Sequence, residues 1–271
     1  MIGIRMAACS EQGARKYNED ALAHGQARNG HFAVLCDGAG GHKRGAEAAQ
    51  RAVACVERLL RDDAADFSPA NLTQMVRLAH SELQVHQESE LADARMHCTI
   101  VVLWIDPAQA HVLWTHVGDS RLYRFRHGEA DVVTADDSVV QRMVQSGLIR
   151  PEQTQDHPQK NQLLAALGMD GEIDPNTVVR PVELIEGDAF LLATDGWWGT
   201  IDDGALSQSL ARALDPGQWL ADMREQINAR AVRGQDNFSA IAVWVGDPGE
   251  VTNPDADDTK PRGVPVLRNP R

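Results

Sequence analysis

No apolar run in this 271-residue sequence approaches the ~20 residues that a helix needs to cross a bilayer. The first residues carry neither the basic segment nor the apolar stretch of a secretory leader. Met6-Ala7-Ala8-Cys9 has the small residues of a lipoprotein cleavage site, but no apolar leader precedes it, and we read it as ordinary chain. Cysteine is scarce. Cys9, Cys36, Cys55 and Cys98 are scattered and three of them sit in apolar segments, so a disulfide framework and a zinc site are both unexpected and the expected compartment is the cytoplasm. Positive charge is in deficit: 26 Lys and Arg against 39 Asp and Glu give 26 − 39 = −13. That balance argues against nucleic-acid partners. It also suits a protein that gathers divalent cations, although acidity more often serves solubility.

What is present is an ordinary soluble composition, 43% hydrophobic and 24% charged, long enough for one large domain over residues 1–246. The chain is organised around residues 34–42, Val-Leu-Cys-Asp-Gly-Ala-Gly-Gly-His, where an apolar run ends in Asp37 and then in three glycines within four residues. Residues 32–36 read as a core strand, and the glycines let the backbone turn and bring carbonyls close to a ligand. Alone, the stretch fits an ordinary strand-to-helix turn capped by Asp equally well. Two further apolar strands end the same way: residues 190–194 run into Asp195-Gly196, and residues 114–117 run into Gly118-Asp119-Ser120-Arg121. Three strand-end carboxylates point to a metal site.

Residues 2–9 are apolar enough for a first strand, broken by Gly13. Arg15-Lys16-Tyr17-Asn18-Glu19-Asp20 follows as a polar turn whose guanidinium could grip a phosphate through two parallel hydrogen bonds, or simply face water. Spacings of three and four at Ala46, Ala49, Val53, Val56, Leu59 and Leu60 predict a helix, and a second is expected over residues 71–91; together they would cover one face of a sheet. Residues 98–105 and 110–117 read as a hairpin, continued by a strand over 121–126. Residues 128–161 read as a polar, lid-like insertion over the sheet. A short helical look at 162–167, a strand at 178–179, a strand at 188–194, helices at 206–214 and 219–232, and a closing strand at 240–245 complete the domain. Residues 247–271 lack apolar periodicity and read as a disordered tail.

Taken in order, Arg15…Asn18-Glu19-Asp20, Asp37-Gly38-Ala39-Gly40-Gly41-His42, Gly118-Asp119-Ser120-Arg121, Asp195-Gly196 and Asp236-Asn237 resemble the motif series of the metal-dependent Ser/Thr protein phosphatases, the PPM or type 2C family. The resemblance covers residues 4–245, and the Gly-Gly-His ending is similar to the bacterial branch. It implies an α+β fold, a four-layer α/β/β/α sandwich of two mainly antiparallel sheets flanked by helices. It also implies that Asp37 bridges two Mn²⁺ or Mg²⁺ ions, with the Gly38 carbonyl on one ion and Asp195 and Asp236 on the other. Glu19 and Asp20 would ligate directly or hold metal-bound waters, Asp119 with Asp195 would hold a third, weaker ion, and Arg15 would clamp the substrate phosphate.

The implied chemistry is hydrolysis of phosphoserine and phosphothreonine by a water or hydroxide bridging the two metals, opposing a bacterial Ser/Thr kinase in signal transduction. Carboxylates and a carbonyl are the oxygen donors that hard divalent cations prefer. Cys36 lies within a strand, in keeping with chemistry that needs no cysteine nucleophile. The sequence departs from the family at Ala39, where many eukaryotic relatives carry a histidine, at Met96-His97-Cys98-Thr99 for Gly-Thr-Thr, and at Asp136-Asp137-Ser138 for Asp-His-Ser. The other readings are a non-catalytic regulatory or adaptor protein on the phosphatase fold, which loss of ligands would mark, and a metal-dependent nuclease, which the net charge opposes. The expected partners are phosphorylated Ser/Thr proteins and a cognate Ser/Thr kinase.

Overall fold

The computed structural model describes residues 2–28, 30–39, 43–87, 95–154, 156–230 and 233–251. One sheet runs, in spatial order, β1 (Ile4–Glu11), β13 (Phe238–Val245), β12 (Ala189–Ala193), β8 (Arg121–Arg126) and β9 (Glu129–Val132). The other runs β10 (Asn176–Thr177), β7 (His111–Val117), β6 (Ile100–Asp106), β3 (Gly30–Cys36) and β2 (Ala21–Ala27), with β11 (Val182–Glu183) also pairing β7. A third, two-stranded ribbon joins β4 (Gly38–Ala39) to β5 (His97–Cys98). All pairings are antiparallel.

Strand side chains alternate between faces, and here both faces are covered. In β3, Phe32, Val34 and Cys36 point to the helices α1 (Lys43–Leu60) and α2 (Pro69–Val85), whereas Ala33 and Leu35 meet Phe190, Leu192, Ile241 and Val243 of the facing sheet. Every residue of β6, β12 and β13 is buried, which explains why these strands read as unbroken apolar runs. On the opposite outer face, α5 (Asp203–Leu210) and α6 (Pro216–Arg230) bring Leu206, Trp219, Leu220 and Met223 onto Tyr123, Phe125 and Trp244. The layers are therefore helix, sheet, sheet, helix, as the resemblance implies. Short helices α3 (Val139–Gln145), α4 (Asp195–Trp198) and α7 (Pro248–Val251) complete the set of α-helices among the described residues. No helix of the described residues is long and apolar enough to cross a membrane.

Several expectations change. The 121–126 strand does not continue the β6–β7 hairpin: at Gly118 the chain leaves that sheet, and β8 pairs β12 and β9 in the other. The start of the expected insertion is edge strand β9, paired with Tyr123–Arg126. Residues 162–167 are extended, held by bridges Ser138–Leu163 and Cys98–Leu167. The strand expected at 178–179 lies at Asn176–Thr177. The second helix, expected to reach 91, ends at Val85 with its cap at His86, and the expected tail opens with the short helix α7; residues 88–91, Gly40-Gly41-His42 and residues 252–271 lie outside the described residues.

Candidate metal centre

Register carries the acidic residues to one end of the sandwich. Ala21 pairs with Cys36, so Asp20, just before β2, and Asp37, just after β3, emerge side by side. Arg121 pairs with Ala193, which brings Asp119 and Asp195 to the same end. Glu11 pairs with Phe238, so the loop carrying Arg15 and Glu19 meets Asp236 there as well. Of the eight residues singled out from sequence, Arg15, Glu19, Asp37, Gly38, Asp119, Asp195 and Asp236 line one cavity of about 230 Å³. Asp20 does not. It lies buried beneath the wall, where one carboxylate oxygen accepts from the Thr194 hydroxyl at 3.2 Å and the other, Oδ1, has no hydrogen-bond partner among the described residues.

The wall depends on close backbone approach. A Cβ on Gly45 would lie 2.3 Å from the Glu19 carboxylate and 3.0 Å from the Gly38 carbonyl oxygen, so the start of α1 can meet both only through a glycine. Gly118 has φ +97°, and a Cβ there would strike the Thr99 side chain at 2.7 Å. Thr99 in turn ties two parts of the wall together: its hydroxyl accepts from the Asp37 N–H at 3.0 Å and shares a 2.7 Å hydrogen bond with Ser120. Asn237 is 5% exposed and holds the 12–19 loop at three points, accepting from the Glu19 N–H and donating to the carbonyls of Gln12 and Tyr17. Arg15 is exposed and its guanidinium forms an ion pair with Asp236.

The sequence reading left several of these contributors without a role. Asn237 belongs to a motif that was recognised for its aspartate, and Thr99 was visible only as a departure from a pattern. Asn161 and Leu163 also line the cavity, yet nothing local marks them; the helical look of their segment conceals the bridge that presents them.

Burial and mutual repulsion hold these carboxylates away from their ordinary ionisation. Burial, then Asp20, Asp195, Asp119 and Asp236, pushes Asp37 well above the usual carboxylate range. Asp20 is raised by burial to about 7, with Asp195 and Asp236 adding to the effect. Asp119 is raised to about 8 by burial, then by Asp195 and Asp136. Asp195 is raised by burial and Asp236, against a hydrogen bond shared with Asp37. Such a cluster is relieved by a cation.

Among the described residues no group of three or more His, Cys, Asp or Glu side chains stands close enough together to hold a metal ion. The carboxylates instead stand around an open wall. That arrangement suits Mg²⁺- or Mn²⁺-type binding, in which a few carboxylates hold the ion and waters complete its octahedron. With oxygen donors only, an unpartnered buried carboxylate oxygen beneath them and excess negative charge, the residues fit hard divalent cations.

Comparison with known proteins gives the same direction. The Protein phosphatase 2C family model matches residues 9–233. The serine/threonine protein phosphatase PstP of Mycobacterium tuberculosis is 31% identical over 246 residues, 90% of this chain and 45% of that protein, so the chain spans about half the length of that relative. The protein phosphatase PhpP of Streptococcus pneumoniae is 30% identical over 238 residues, covering 86% of this chain and 94% of the relative. The crystal structure of the catalytic domain of PstP in complex with two manganese ions superposes with a TM-score of 0.78 at 28% identity, covering 91% of this chain and all of that one.

Proposed function

Because the chain belongs to the protein phosphatase 2C family, in its bacterial branch, we propose that it is a metal-dependent phosphatase of phosphoserine and phosphothreonine proteins, opposing a Ser/Thr kinase in the cytoplasm. The observation that carries this reading is the meeting of Asp37, Asp119, Asp195 and Asp236 with Arg15 around one cavity. Asp37, the Gly38 carbonyl, Asp195 and Asp236 would hold two Mn²⁺ or Mg²⁺ ions, and Asp119 with Asp195 a third. When bound, the ions supply activation of water for in-line attack and neutralise charge on the phosphoryl oxygens.

The chain's own residues then have distinct tasks. Asp37 and Asp195, already sharing a hydrogen bond, set the spacing of the donor groups. Glu19 stands beside the Gly38 carbonyl at the start of α1, placed to hold a water or an ion there. Asp20, buried below, supports the wall through Thr194 and can hold water with its unpartnered oxygen. Arg15, at the open side, binds phosphate oxygens by a charge-assisted fork.

Purified protein should release phosphate from a phosphothreonine peptide with Mn²⁺ or Mg²⁺ and none in excess chelator. A folded protein silent with every metal would overturn the reading in favour of the adaptor, and capture of phosphoprotein partners would follow. Arg15→Ala should raise KM about tenfold with kcat within about threefold, as expected for a contact made equally in ground and transition states. Steady-state kinetics at saturating Mn²⁺ decide it: a collapse of kcat at unchanged KM contradicts the assignment.

A further inference from the structure

Trp198 ends α4, the single helical turn that begins with Asp195. Its indole N–H donates to the Asp119 carbonyl at 3.0 Å. Asp119 and Asp195 come from different parts of the chain, and each sits where a short strand pair has ended, so their separation is not set by a continuing ladder of backbone hydrogen bonds. The indole bridges them directly. It belongs to the turn of one carboxylate and holds the backbone of the other.

The indole is itself clamped. The central carbon of the Arg121 guanidinium lies over the Trp198 ring, 3.5 Å from its centre. Asp136 fixes that guanidinium with two hydrogen bonds, of 2.9 and 2.8 Å, and is itself only 9% exposed at its side chain. A planar cation stacked on the ring and gripped by a buried fork leaves the indole little freedom to turn. These three side chains, with Asp119 and Asp195, border a second cavity of about 620 Å³ that adjoins the metal centre. The next residue, Asp137, pins Gly118 from the other side, donating its N–H to the Gly118 carbonyl at 2.9 Å and accepting the Gly118 N–H at 3.0 Å. Asp136 and Asp137 thus hold both sides of the corner that presents Asp119.

We propose that Trp198, Arg121 and Asp136 are positioning residues that set the distance between Asp119 and Asp195 and thereby the affinity of the ion held between them. This rests on the proposed metal centre. The indole donor fixes the Asp119 backbone, the guanidinium fixes the indole, and Asp136 fixes the guanidinium. None of the three needs to touch substrate or metal.

The test is equilibrium Mn²⁺ binding to the full chain, read from the electron paramagnetic resonance signal of free Mn²⁺, alongside thermal unfolding and peptide hydrolysis. Trp198→Phe keeps a ring under Arg121 and removes the donor. It should weaken the lowest-affinity Mn²⁺ by about five- to tenfold, the size of one net hydrogen bond, and leave KM for the peptide unchanged at saturating Mn²⁺. Arg121→Lys, which keeps the charge and loses the flat stack, should move the isotherm in the same direction. Trp219→Phe is the control. Trp219 is fully buried in the outer helical layer and donates to the Leu206 carbonyl at 3.3 Å, so its loss should lower thermal stability without moving the isotherm. An isotherm for Trp198→Phe superimposable on wild type, or an equal shift in Trp219→Phe, overturns the clamp. Absence of Mn²⁺ binding by the wild-type protein overturns the metal centre and the clamp together, whereas normal wild-type binding with an unmoved Trp198→Phe isotherm overturns the clamp alone.

Discussion

Asp37→Asn is expected to lower kcat/KM on the phosphothreonine peptide by on the order of 10³-fold or more and to abolish tight Mn²⁺ binding. The carboxylate stands at the end of β3, shares a hydrogen bond with Asp195 and feels the charges of Asp20, Asp195, Asp119 and Asp236. An amide matches its shape and can still hydrogen-bond Asp195, but it has lost the negative charge that would hold a divalent cation. Stability should move the other way. Because burial and four neighbouring carboxylates oppose ionisation of Asp37, the neutral amide relieves repulsion, and Asp37→Asn in chelator should melt at or above the wild-type temperature. The combination separates a ligand from a structural residue: a structural aspartate would lose stability along with activity. Near-normal turnover in this variant would sink the whole site model.

In chelator the wild-type protein is expected to lose stability as pH rises from 6.5 to 8. Asp119 has its pKa raised in the native chain to about 8 from an ordinary value of 3.8. For a group raised on folding, stability is complete below the unfolded pKa, where both states are protonated, and is lost as pH climbs through the native pKa, because the unfolded chain has already released its proton. Between pH 6.5 and 8 Asp119 alone accounts for about 2 kcal/mol, or roughly 5 °C in melting temperature for a domain of this size. Asp37 acts in the same direction. His24, His31 and His97, whose pKa values are lowered by burial, oppose the trend mainly below their ordinary value of 6.5 and only weakly at the lower end of this window, where the unfolded imidazoles lose their remaining protons. Mn²⁺ binds the native chain and replaces proton by metal as the relief of the cluster, so it should raise the melting temperature more at pH 8 than at pH 6.5. Calorimetric scans at the two pH values with and without Mn²⁺ decide it; a melting temperature in chelator that is flat or rising over this window contradicts the account.

Much of the site could be read because its signals are local. A strand that is apolar on both faces, then an aspartate, then a glycine occupies only a few consecutive residues, and it recurs at Asp37 and Asp195 with a reversed form at Gly118-Asp119. Helices α1 and α2 were legible for the same reason, since amphipathic spacing is a property of neighbours along the chain. Residues 162–167 show where this fails. Their short apolar run fits helix or strand equally, and the choice fell to distant partners, Ser138 and Cys98.

By itself the sequence determined which donor groups this protein carries, carboxylates at strand ends with an arginine nearby, and the order in which those groups come along the chain. Only the tertiary structure decided that β8 crosses to the other sheet, that Asp20 lies beneath the cavity rather than in its wall, that Arg15 meets Asp236, and that Trp198 bridges Asp195 to Asp119. The physical reason is range. A residue type and its immediate neighbours set what a group can donate or accept, whereas register between strands far apart in sequence sets which groups meet, and that register is chosen by the packing of two whole sheets.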